Sequence, residues 1–194
     1  MRRQYLPLVV TLAAATLVGC TTQNASFYTL SQEAPGENAR PVTQLTVVVG
    51  SVTVPELVDR PQIVVSTGAN QVHIDEFARW AEPLKRQIPR VVAGDLAQIL
   101  NSARVSASPM AGDATVWRVR LDVQRFDAAP GDAVTVDVVW SVSVTGKGSP
   151  LSGRTTVREP CASADYDALV AAWSKALAIV SGEIGAAIST ASAS

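Results

Sequence analysis

The chain has 194 residues, of which 47% are apolar and only 17% charged, and its net charge is −1. That length suits one domain with a proper core, and that composition argues against extended disorder. A near-neutral chain without a basic run has no electrostatic footprint for nucleic acid, and two cysteines cannot staple a disulfide-rich scaffold.

Met1 to Cys20 reads as a targeting segment. Arg2 and Arg3 make a positive start, and Leu6 to Val18 is apolar but shorter than the ~20 residues a bilayer span needs. Leu17-Val18-Gly19-Cys20 matches a bacterial lipobox: small Gly19 fits beside the cleavage point, and the Cys20 thiol takes a diacylglycerol before cleavage. Processing at Cys20 would leave a mature chain of net charge −3. The covalent diacylglycerol and N-acyl lipid on Cys20 are then the only non-protein groups expected, with no cofactor. Each buried methylene contributes ~0.8 kcal/mol, so several acyl chains anchor firmly. Thr21, rather than Asp, follows Cys20, which by similarity to other bacterial lipoproteins implies sorting to the outer membrane. Arg2-Arg3 lacks the flanks of a twin-arginine signal, so the ordinary Sec route is expected. The expected organisation is a signal peptide over 1–19, a lipidated tether over 20–25 and a single domain over 26–190.

Ser26 to Leu30 predicts a short strand, and Ser31 to Pro41 a loop. Gln44 to Val54 is almost continuously apolar and β-branched, as in a central strand covered on both faces, and Pro55 ends it. Asp59-Arg60-Pro61 turns the chain into Gln62 to Val65, a second apolar run. Thr67 to Asn70 turns it again, and Val72, Ile74 and Phe77 predict a short half-buried strand. Pro83 to Asn101 reads as a helix with Leu84, Ile88, Val91, Val92, Leu96, Ile99 and Leu100 on one stripe. Pro89 predicts a kink or a late start, and Gly94 a cost of about 1 kcal/mol relative to Ala.

Arg104 to Ser108 predicts a short strand. Thr115 to Phe126 is a clear one, with Trp117, Val119, Leu121 and Val123 alternating against polar neighbours. After a turn at Ala129 to Asp132, Val134 to Val144 continues the alternation through Trp140. Gly146 to Ser149 turns into a third strand over Leu151 to Arg158. Ser163 to Ile188 predicts the second helix, capped by Ser163 or Asp165, with Trp173 on its apolar stripe and Ser189 to Ser194 a frayed tail. The fold class is therefore α/β in the α+β sense: a two-layer sandwich of one mixed, mostly antiparallel sheet with two amphipathic helices on one face.

One stretch has a more specific look. Val54 to Val64, VPELVDRPQIV, is followed by Arg79 to Leu84, RWAEPL. In that order and spacing they resemble the signature of the ABC-type transport auxiliary lipoproteins, the paraquat-inducible PqiC-like group. The likeness extends over nearly all of the mature chain, including Phe27 to Leu30, Arg125-Phe126, Trp140 and Leu169-Val170. It implies a non-enzymatic, lipid-anchored accessory subunit of an inner-membrane system with MCE (mammalian cell entry) domains. Such a subunit would dock the periplasmic assembly at the outer membrane and help lipids pass. The implied partners are the membrane, through the anchor, an MCE-domain protein and its inner-membrane transporter; a homo-oligomer is a further option.

The candidate partner-binding residues are Pro55, Leu57, Arg60, Pro61 and Gln62, together with Arg79 and Glu82. Asp59 to Pro61 reads equally as a partner contact or a local turn lock. Trp80 is expected in the core, stapling loop to sheet. His73, the sole histidine, sits near Asp75 and Glu76 but has no nucleophile elbow or metal-ligand set around it, so a surface role is expected. With Cys20 lipidated, Cys161 would be a free thiol, read as a half-buried small residue before the second helix in preference to a disulfide partner between subunits. Two other readings remain: a periplasmic carrier with its own apolar lipid pocket, and an envelope hydrolase dependent on His73. The low aromatic content of 5% and the matched apolar stripes favour mutual burial over a pocket.

Overall fold

The computed structural model describes residues 24–33, 45–108 and 115–193. The targeting segment, Cys20 and most of the loop predicted after Ser31 lie outside the described residues, as does Gln44. Eight strands and two helices are described: β1 (Ser26–Tyr28), β2 (Val47–Thr53), β3 (Gln62–Gly68), β4 (Gln71–Trp80), α1 (Leu84–Ile99), β5 (Val105–Ser106), β6 (Trp117–Ala129), β7 (Ala133–Val144), β8 (Lys147–Pro160) and α2 (Tyr166–Ser192).

The strands form two mixed sheets where one was expected. The larger has the order β5-β2-β6-β7-β8, and the smaller β1-β4-β3. β2 runs parallel to both β5 and β6, and β6, β7 and β8 form the expected antiparallel meander. The second sheet exists because Pro55 has no N–H to extend β2, and the turn from Pro55 to Asp59 carries the chain into a separate hairpin. That β3–β4 hairpin then accepts β1 as a parallel neighbour. β4 is also longer than expected, ten residues, because it bulges opposite Gln62 and Ile63 and so absorbs extra chain.

Both helices pack on the same face of the larger sheet, and α1 packs on α2. On β6 the inward residues are Trp117, Val119, Leu121 and Val123, and a bulge between Val123 and Arg125 re-phases the strand so that Phe126 and Ala128 also face in. The opposite face is wet, as alternation predicted. There Asp137 is buried beneath Arg154, which donates to it from Nε and one terminal nitrogen (3.0 and 2.6 Å). Trp140 faces the helices, donating its indole N–H to Thr155, and its ring lies over Gly153. A Cβ at Gly153 would sit 2.3 Å from that ring, so the strand needs glycine where the indole crosses it.

α1 starts at Leu84, directly after Pro83, and runs through Pro89, so no late start occurs. The bond Pro89 cannot donate would have gone to the carbonyl of Lys85, an exposed residue of the first helical turn, while Pro89 itself is buried with Gln87 and Ile88. Gly94 lies beneath the side chain of Gln32, so the absence of a Cβ serves packing rather than costing only propensity. Asp165 caps α2 by accepting from the Ala168 N–H (2.8 Å), and the helix continues through Ser192, past the predicted fraying point. α2 is long and apolar enough to cross a membrane, but Leu169, Trp173, Leu177, Val180, Ile184 and Ile188 are buried in the core.

Candidate functional site

The residues of the signature stretch converge after folding. A turn from Pro55 to Asp59 closes when Val58 and Asp59 donate to the Pro55 carbonyl (3.1 Å each). Pro61 accepts from the Trp80 N–H (2.7 Å), and Ala81 donates to the Tyr28 carbonyl of β1 (2.8 Å). Asp59, Arg60 and Pro61 thus stand across from Trp80, Ala81, Glu82 and Pro83, enclosing an open cleft of about 340 Å³.

The predicted partner residues divide into three groups. Arg60, Pro61 and Glu82 line the cleft. Gln62 and Arg79 form the adjoining rung, paired across β3 and β4, and the Gln62 amide donates to Glu76. Pro55 and Leu57 belong to the preceding turn, with Leu57 exposed. Glu82 is less free than expected. Its carboxylate accepts from Arg90 (2.7 Å), with Arg86 at 3.9 Å, and the Arg90 hydrogen bond and charge hold its carboxyl below the ordinary range. Asp59 is tied to Lys85 (2.5 Å), so it locks the turn to α1. Arg60 keeps Nε buried without a hydrogen-bond partner at the cleft.

Trp80 is core, as expected. It floors the cleft and meets Trp173 (ring centroids 5.5 Å apart) and Phe126 (6.3 Å), while Phe126 and Trp173 stack at 4.9 Å and 4°. His73 is exposed on β4. The nearby Asp75 is committed elsewhere: it accepts from the Phe77 and Ala78 N–H groups and from the Tyr166 hydroxyl (2.7, 3.0 and 2.9 Å). Partial burial pushes the Asp75 carboxyl up, but those hydrogen bonds outweigh it and leave the carboxyl lowered. Burial and Asp75 together raise the Tyr166 phenol well above its ordinary value. Cys161 is half-buried and free, and burial raises its thiol. Among the described residues no cluster of His, Cys, Asp and Glu is arranged to hold a metal.

A second construction escaped sequence reasoning. After β1, residues Thr29 to Glu33 run as a strap against α1 and α2, and helix side chains satisfy its backbone. Gln87 accepts from the Leu30 N–H (2.8 Å) and the Thr29 hydroxyl (3.1 Å), Ser174 accepts from the Ser31 N–H (3.1 Å), and Asp95 accepts from the Glu33 N–H (3.1 Å). The available signal was polar residues on otherwise apolar helix faces: Gln87, Asp95, Ser174 and Ser181 are all 0% exposed.

Asp95 gives a pH prediction. Burial pushes its carboxyl from 3.8 up to about 6, against the hydrogen bonds from Glu33 and Ser181. Between those two values the folded chain holds a proton the unfolded chain has lost. This contribution to stability is therefore present below about pH 4 and lost as pH rises through about 6. Asp95→Asn keeps an acceptor for Glu33 without the buried charge. It is expected to stabilise at pH 7.5 by on the order of 2 kcal/mol, with the advantage vanishing below pH 4. Thermal melts of both chains at the two pH values check this, and a pH-independent difference would contradict the assignment.

Comparisons with known proteins were consistent with this architecture. A family model for the ABC-type transport auxiliary lipoprotein component matches residues 28–185. Two crystal structures are similar in fold at 22% identity and a TM-score of 0.69, each over 86% of this chain. One is an uncharacterized protein covered over its full length; the other is protein XCC0632 from Xanthomonas campestris, assigned to DUF330, covered over 95%. No curated protein matches the sequence.

Proposed function

Because the chain belongs to the family of ABC-type transport auxiliary lipoprotein components, we propose that it is a non-enzymatic, lipid-anchored subunit that docks an MCE-type lipid transport assembly at the periplasmic face of the outer membrane. The family itself is one of lipoproteins auxiliary to ABC-type transport, hence of the bacterial envelope. The observation that carries the finer reading is the convergence of Arg60, Pro61, Glu82 and Pro83 on one open cleft joined directly to β1, the strand nearest the tether. A cleft with a rigid aromatic floor and an underused arginine suits recognition of a partner segment. The core supports docking over carrying: Leu96, Leu177, Val180 and Ile184 are fully buried against one another and the sheet.

The lipid anchor is tested by Cys20→Ser. That change is expected to abolish processing and acylation and to remove the protein from the outer-membrane fraction. A Cys20→Ser chain that is still cleaved and still fractionates with that membrane would defeat the anchor. The docking role is tested by pulling the tagged, lipidated protein from detergent-solubilised envelopes and identifying protein and lipid by mass spectrometry. Recovery of an MCE-domain protein, reduced in an Arg60→Glu variant, is the expected result. About one lipid per chain and no such partner would replace docking with the carrier reading.

A further inference from the structure

We propose that the outer side of the small sheet, centred on Phe27 of β1 and Phe77 of β4, rests on the bilayer surface and fixes the orientation of the domain on its membrane; this rests on Cys20 being lipidated. Phe27 is 66% exposed and Phe77 41%, although strand positions with large aromatics are ordinarily covered. Their direction follows from the pairing. Ser26, Phe27 and Tyr28 pair with Ala78, Arg79 and Trp80. Ala78 and Trp80 are buried, and Tyr28 turns toward Tyr166, with ring centroids 5.8 Å apart. Alternation therefore sends Phe27 and its partner Arg79 to the other side; Phe77, in the β4 bulge two residues before Arg79, is exposed as well. Val72, also exposed, lies farther along β4.

The tether identifies the occupant. Ser26 is six residues after Cys20, a reach of about 20 Å at full extension. A domain of this size is about 40 Å across. The anchor therefore cannot let β1 swing to the far side of the domain, and the face carrying Phe27 stays within reach of the headgroups. An exposed phenylalanine paired with an arginine, with a second exposed phenylalanine close by in sequence, matches a bilayer interface, where rings enter the acyl boundary and the guanidinium meets lipid phosphate. Because the anchor keeps the local concentration of this face high, a weak contact suffices. The cleft and the strap, on elements joined to the same sheet, would then be held in one orientation toward incoming transport partners.

The test uses the full lipidated protein in vesicles of phosphatidylethanolamine and phosphatidylglycerol, in a Cys161→Ser background. Phe77→Cys and Val139→Cys are labelled with a water-soluble maleimide, each rate being referred to that of the same chain unfolded in urea. Phe77 and Val139 are 41% and 39% exposed in the protein alone, so without membrane contact the two positions react alike. The expected result is loss of labelling for Phe77→Cys while Val139→Cys labels freely. Phe27→Cys, on the neighbouring strand, is expected to follow Phe77→Cys. Vesicle-bound protein in which all three label alike overturns the face and leaves the anchor standing. If the protein as expressed proves to carry no acyl group on Cys20 and does not float with the vesicles, both the anchor and the face are overturned.

Discussion

Trp173→Ala is expected to destabilise the domain by about 4 kcal/mol, seen as a large fall in the urea midpoint with an unchanged slope. Trp173 is 1% exposed and stands where three elements meet: α2 carries it, Phe126 of β6 stacks on it, and Trp80 of β4 leans on both. Truncation leaves a cavity that backbone from two sheets and a helix cannot close together. The cost is a large part of the 5–15 kcal/mol that holds a typical domain folded. Trp173→Phe separates shape from polarity. It keeps an aromatic face for Phe126 and deletes an indole N–H that is buried without a partner, so its cost should be well below that of Trp173→Ala. Equal losses in the two variants would mean the stack contributes little. Because Trp80 floors the cleft, Trp173→Ala should also weaken partner capture, whereas a change at exposed Ile179 of the same helix should not.

Gln87→Leu is expected to cost about 3 kcal/mol and to release the strap. The Gln87 amide serves three groups: it accepts from the Leu30 N–H and the Thr29 hydroxyl and donates to the Glu82 carbonyl (2.6 Å). Leucine has similar bulk but leaves the Leu30 N–H without its acceptor and the Glu82 carbonyl without this donor, at about 1–3 kcal/mol for a buried group. Hydrogen exchange should quicken first at Leu30 and then along Thr29 to Glu33, before the sheet opens. Continued protection of the Leu30 amide would show that the strap is held by packing instead.

The parts legible from the chain were those with a short period. The stripe from Leu84 to Leu100, the alternation from Trp117 to Val123 and from Val134 to Val144, and the turns at Gly131 and Gly146 all repeat within a few residues. Local sterics alone select helix, strand or turn there. Trp173 was legible as core for the same reason, and Trp80 as a large aromatic stapling the loop to the sheet. The signature Asp59-Arg60-Pro61 and Trp80 to Pro83 could be seen as unusual strings, but not as two walls of one cleft. Phe27 and Phe77 carried no warning, since an aromatic at a strand position is normally inside.

What the sequence by itself determined was the inventory of elements and the faces of the meander strands and helices. These depend on neighbours within a turn or a pleat. Only the tertiary structure decided that the strands divide into two sheets, that β1 joins β4 in parallel, and that Gln87, Ser174 and Asp95 serve a strap from the far end of the chain. Those choices depend on pairings across long loops, on bulges that re-phase β4 and β6, and on the cost of leaving a buried N–H unmatched. None of these is visible until the distant partner is in position.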